Sequence, residues 1–237
     1  MSYLTWIEDF NSKISGIGRA IDNFITIAQK IHDVMNEQTV FECLGEKFGK
    51  WGWGFPLSMN LEDIAKLIDI TNQDCFDEEM IRYFESNLKE IIYNIEQSTI
   101  DQYLKDMFRQ SYEAFSLGLL HPALTSITAI ADGILFDSNE DWDKKNTKFI
   151  ERAKALEKRQ KYDDPSYYLN ITQMKSIRTF TEVCMKYVPF TEDEPNMYNR
   201  HWLIHGTTRR TLSKREYFQV LSWVDSLTSL LFSNDSK

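Results

Sequence analysis

The apolar positions of this chain recur every three or four residues along nearly its whole length, a step that predicts helices. Ile14, Ile17, Ile21, Phe24, Ala28, Ile31 and Val34 keep that step and predict a helix over residues 11–36. Thr39 followed by Glu42 has capping-box spacing ahead of another short helix. Three glycines and a proline then break the pattern across residues 49–56, with Trp51, Trp53 and Phe55 set between them. Aromatic residues so placed either line a pocket or plug a core, and the plug is the commoner arrangement. Helices are predicted next over 61–68 and 80–95, the second carrying Ile81, Phe84, Leu88, Ile91 and Ile92 on one side.

The second half of the chain repeats the period. Residues 100–119 predict a helix carrying Tyr103, Met107, Ala114, Phe115 and Leu119. His121-Pro122 interrupts it, since proline disfavours a helical residue before it and opens a new helix well. Residues 123–136 then predict a largely buried helix, and the two together an antiparallel hairpin. Further helices are expected over 144–161 and 172–187. Ser213 with Glu216 forms a capping box for a last helix that buries Phe218, Leu221, Val224, Leu227 and Leu230. No strand-like alternation of useful length, solenoid repeat or low-complexity tract interrupts this reading. The expected fold is all-α, a helical bundle.

Composition narrows the class. A chain of 237 residues allows one large domain or two small ones, and 14% aromatics with nine glycines and five prolines argue against disorder. The first ten residues carry Glu8 and Asp9 where a signal peptide would carry basic residues. The longest nearly uncharged apolar stretch, 123–136, contains Asp132 and is too short to span a bilayer. Cys43, Cys75 and Cys184 are odd in number and far apart, which suits reduced thiols. These features predict a soluble protein of the cytoplasm.

The net charge of −9 is unevenly spread: residues 1–98 hold 17 Asp/Glu against 8 Lys/Arg, and residues 99–237 hold 19 of each. We therefore expect an acidic N-terminal helical region, 1–98, and a second helical domain, 99–237. Within the latter, residues 144–161 hold eight Lys/Arg against Glu151 and Glu157. That density reads as a solvated helix face and is also compatible with a polyanionic substrate.

The candidate chemistry lies in residues 199–206, Asn-Arg-His-Trp-Leu-Ile-His-Gly, which contain two of the four histidines. A helix capped by Asn199 and stopped at Gly206 in a left-handed turn would place Arg200 in its first turn. Arg200 is a permanent cation with a donor fork suited to phosphate, and His205 exchanges protons near neutral pH. Other roles stay open: an ion pair from Arg200 to Glu192, Asp193 or Glu194, and a capping role for His205 at the helix C-terminus. His201 and His205 stand at i and i+4, a zinc-ligand spacing, but Trp202 occupies the place of a zinc protease's glutamate. We expect neither a metal nor another cofactor. His121 at the hairpin turn reads as structural, and Tyr112, Glu113 and Asp132 either face the cleft or bond neighbouring helices.

The octet resembles the Arg-x4-6-His motif of the HEPN nucleases (higher eukaryotes and prokaryotes nucleotide-binding domain), and the resemblance covers about residue 100 onward. It implies a C-terminal up-and-down bundle preceded by an N-terminal helical extension. It also implies a metal-independent endoribonuclease that leaves 2′,3′-cyclic phosphate ends and acts as a toxin or phage-defence (abortive infection) effector. His205 and Arg200 would then be catalytic and Asn199 and His201 supporting, with Arg209, Arg210 and Lys214 guiding RNA. On a regular helix Arg200 and His205 point about 140° apart, so one site needs two copies of the motif, and a homodimer is expected. An antitoxin or regulatory partner fits the same biology. The rival reading is a non-catalytic helical module that binds a nucleotide, an RNA or a partner protein.

Overall fold

The computed structural model describes residues 37–137 and 167–231. The helices expected over 11–36 and 144–161, with the basic strip on the latter, lie outside the described residues. Among those described the fold is all-α, with eight helices and no strand. In chain order they are α1 (Glu37–Lys50), α2 (Leu61–Asp69), α3 (Gln73–Gln97), α4 (Gln102–Ser116), α5 (Leu120–Asp137), α6 (Tyr167–Cys184), α7 (Arg200–Ile204) and α8 (Lys214–Leu231). None of these helices is long and apolar enough to cross a membrane.

The last helix is the centre of the bundle. Every residue from 216 to 228 on α8 is buried, and α3, α5 and α6 pack around it. Phe218 stacks on Phe84 of α3 at 5.8 Å, and Tyr217 on Phe115 of α4 at 4.0 Å. Residues on both sides of position 98 thus contribute to one hydrophobic core, which runs from Leu44 to Leu227.

The predicted hairpin forms, with its turn shifted. Leu104 lies against Gly133, and Ser111 Oγ donates to Ala123 O at 2.8 Å, so α4 and α5 run antiparallel. The break falls at Leu117–Leu119, where Gly118 takes φ +76°, and Pro122 sits inside the first turn of α5. Proline is tolerated there because its missing N–H has no helical partner to lose. The buried face of α4 is Leu104, Phe108 and Ser111, while Tyr103 and Leu119, expected on the helix with the core residues, are exposed. Two other helix starts differ. α3 begins at Gln73, capped by Asn72 Oδ1 on Cys75 N, ahead of the apolar stretch that marked it in sequence. Thr39 lies inside α1, so it is not an N-cap.

α1 and α6 pack at unusually close range. Gly45 and Gly49 stand at i and i+4 on α1, where an added Cβ would come within 2.3 Å of Thr172 O and 2.5 Å of Thr179 Cβ. Both contacts advance together along the two helices, so they run in the same direction. The segment after α1 then enters the core: Trp53 and Phe55 are buried, and Gly52 to Pro56 with them. The aromatic plug expected from sequence is what forms.

Gly49→Ala should therefore lower stability by about 1–3 kcal/mol through overpacking of the α1–α6 contact. A shift of the urea midpoint to lower concentration, with an unchanged slope, checks this.

Candidate functional site

The octet folds as the spacing predicted. Asn199 caps α7, its side-chain oxygen accepting from Trp202 N at 3.2 Å, and its Nδ2 donates to Lys186 O at 3.2 Å. At the other end Gly206 takes φ +65°, while Thr207 N donates to Trp202 O and Gly206 N to Leu203 O, both at 3.0 Å. Those two bonds are a Schellman motif, which glycine favours because it enters the left-handed region without a Cβ clash. Trp202 and Leu203 point inward and are buried. Tyr198, just before the cap, is buried and shares a 2.6 Å hydrogen bond with Thr128 of α5.

This anchoring leaves two histidines on the outer side of α7. Their ring centres are 4.6 Å apart in a T-shaped contact. Phe190 stacks on His201 at 4.5 Å with an interplanar angle of 5°, and meets His205 edge-on at 5.6 Å. Tyr187 lies against the other neighbour of this group, His201, at 4.6 Å. Tyr187 is 70% exposed and Phe190 44%, so the cluster forms an aromatic ledge open to solvent. Sequence reasoning missed both residues, because they come from the irregular segment after α6 and reach the histidines only through the tertiary fold.

The two imidazoles differ. His205, at the helix C-cap, is exposed. His201 is partly buried, and its Nε2 is shielded and without a hydrogen-bond partner. Burial lowers its pKa, and the charges of His205 and Arg200 lower it further. His201 thus favours its neutral form at pH 7. Arg200 sits in the first turn of the same helix, its charge felt by His201 and Tyr198. Asn199 is engaged at the cap and is 5% exposed, so it positions α7.

The basic residues beyond Gly206 are placed less freely than their sequence suggests. Arg210 Nη1 pairs with Glu216 at 2.6 Å and its Nε with Glu194 at 3.5 Å. Glu194 also accepts from the backbone N–H groups of Arg209 and Arg210, at 2.9 and 3.2 Å. Lys214 pairs with Glu85 of α3. Of the three residues expected to guide RNA, Arg209 is the one whose side chain is exposed and has no ion pair among the described contacts.

Glu216 joins this loop to the bundle. It completes the capping box with Ser213, accepting from Ser213 N at 2.9 Å and Ser213 Oγ at 2.6 Å. Arg215 bonds it at 3.1 Å and reaches Asp77 of α3 at 3.2 Å, while Trp53 Nε1 donates to the other Asp77 oxygen at 2.7 Å. Burial alone would raise the Glu216 pKa, but the hydrogen bonds from Ser213 and Arg210 and the Arg210 charge outweigh it and hold the pKa at about 2.

Two further candidates lie on the α4–α5 hairpin. His121 is exposed at the start of α5 and Glu113 is exposed on α4. A separate cleft of about 160 Å³ between α2 and α3 carries Lys66 and Arg82, each paired with a carboxylate on its own helix. Among the described residues no group of three or more His, Cys, Asp or Glu is arranged to hold a metal. Compared with family models, curated proteins and solved structures, the chain has no match.

The charge on Glu216 should stabilise the fold fully above the unfolded carboxylate value of about 4.5 and progressively less as pH falls toward about 2. Glu216→Gln should lower stability at pH 7 and flatten the loss between those two values. Denaturant melts of both proteins from pH 7 to 2.5 check this; parallel curves would show that another group carries the acid dependence.

Proposed function

We propose that this chain is a metal-independent endoribonuclease of HEPN type, acting as a toxin or phage-defence effector. The observation that carries the reading is the placement of His205: exposed, held at a capped helix end, in ring contact with a second histidine and on the same short helix as Arg200. In this reading His205 draws the proton from a ribose 2′-OH, whose oxygen attacks the adjacent phosphorus. The P–O5′ bond breaks, a 2′,3′-cyclic phosphate forms, and the departing 5′-oxygen takes a proton. Arg200 holds the phosphate and offsets the charge that grows on its oxygens. His201, neutral and clamped beneath Phe190, fixes the orientation of His205.

Arg200 and His205 occupy opposite ends of α7, which supports a site shared between two copies, each giving one residue to a cleft. Arg209 supplies exposed positive charge beside it. Arg210 and Lys214 act indirectly, by fixing the loop before α8. An antitoxin or other regulatory partner would act by covering this ledge. A second reading is favoured by Tyr187 and Phe190, whose exposed rings suit the stacking of a nucleobase without cleavage.

Purified protein incubated with total RNA in EDTA should cleave it. His205→Ala should lower the rate by ~10²–10⁴, with helicity unchanged, and Arg200→Ala should abolish cleavage likewise. Full activity in folded His205→Ala would end the catalytic assignment. RNA that binds uncut to the wild-type protein would establish the second reading.

A further inference from the structure

The i and i+4 histidines have a consequence beyond proton transfer. Imidazole nitrogen is a preferred ligand of first-row transition metals, through whichever ring nitrogen carries no proton. With metal–nitrogen bonds of about 2.0–2.1 Å, two imidazoles on neighbouring coordination positions hold their ring centres roughly 4.5–5 Å apart. His201 and His205 stand at 4.6 Å. The separation falls within that range.

The surroundings favour ligation. Phe190 stacks flat on His201, which limits ring rotation and lowers the entropy lost on chelation. The His201 Nε2 is shielded from solvent, which leaves Nδ1 as the ring nitrogen that an ion can reach. His205 is exposed and gives the ion an entry path. Against this stands the Arg200 cation, which disfavours a second positive charge.

We propose that His201 and His205 form a two-ligand binding site for a divalent transition-metal ion, with water completing its shell. Among the described residues no third His, Cys, Asp or Glu joins them, so the site is a reversible one, not a closed structural centre. Its affinities follow the general order in which Cu²⁺ exceeds Ni²⁺ and Zn²⁺. An ion there occupies the nitrogen lone pairs that the proposed cleavage needs, and so inhibits it until a chelator removes the metal.

The test is calorimetric titration of the full chain with NiCl₂, in a Cys43→Ser, Cys75→Ser background that removes the two exposed thiols. One saturable site is expected. His205→Ala, which alters an exposed side chain, should weaken it roughly tenfold or more, since losing even an outer-shell partner costs about 10–100-fold. Wild-type affinity in His205→Ala, or no binding by the parent, overturns the proposal. Because the readout is heat of binding, its outcome is independent of whether the protein cleaves RNA.

Discussion

The segment that follows α1 runs through the interior, and its peptide groups must find partners there. A buried N–H or C=O left unpaired costs about 1–3 kcal/mol, so residues 51–55 would expel themselves from the core without donors and acceptors in place. The polar edge of α8 supplies them. Gln219 Nε2 donates to Trp51 O at 3.0 Å, Ser222 Oγ accepts from Gly54 N at 2.7 Å, and Ser226 Oγ donates to Phe55 O at 2.9 Å. Ser176 of α6 accepts from Phe55 N at 2.9 Å. Those bonds explain why the central helix carries so many buried hydroxyls, and why Gly54 is a glycine: an added Cβ would meet Ser222 O at 2.4 Å. With the backbone satisfied, Trp53 and Phe55 fill the space between α1, α3, α6 and α8.

What could be read from sequence was local. The octet's cap, its five-residue helix and its left-handed stop each depend on residues within five positions of one another, and all three form as expected. The Ser213–Glu216 box is equally local. What could not be read depends on distant returns of the chain. Phe190 and Tyr187 meet His201 because the chain after α6 folds back over α7, and no spacing rule encodes that. α3 starts ahead of its apolar stretch, where Asn72 caps it and Asp77 is buried against Trp53 and Arg215. Around α4, Met107, Ala114 and Phe115 pack on the core as their step predicts, Tyr103 and Leu119 do not although equally apolar, and Ser111 is buried for its hydrogen bond to Ala123 O.

Two carboxylates on α8 show how the surroundings decide whether burying an acid helps. Glu216 and Asp225 are 1% and 5% exposed. Glu216 has Ser213 donors and the Arg210 guanidinium, and its charge is held in place down to about pH 2. Asp225 feels burial and the negative charge of Glu90, and its pKa is raised to about 7. Charge at 216 therefore works for the fold, and charge at 225 works against it. The arginine-rich stretch before α8 follows from the first case. Arg210 and Arg215 both reach Oε1 of Glu216, and they also pair with Glu194 and Asp77 respectively. Arg210, expected to guide RNA, is here an internal counter-ion, and so is Arg215.

A five-residue helix has no stability of its own, because the first turn alone fixes more backbone freedom than its hydrogen bond returns. α7 exists because each of its ends and its inner face is held from outside: the Asn199 cap, the Schellman turn, Trp202 and Leu203 in the core, and Tyr198 on Thr128. The loop beyond it is fixed in turn by Glu194, which gathers the backbone N–H groups of Arg209 and Arg210. So much support for five residues would be unnecessary if the segment were a simple connection, since a flexible loop between α6 and α8 would close the chain at small entropic cost. The arrangement instead fixes the orientation of the one face of α7 that the core does not use. That face carries His201 and His205, and the rigidity of their setting is what any chemistry that needs two imidazoles at a fixed separation requires.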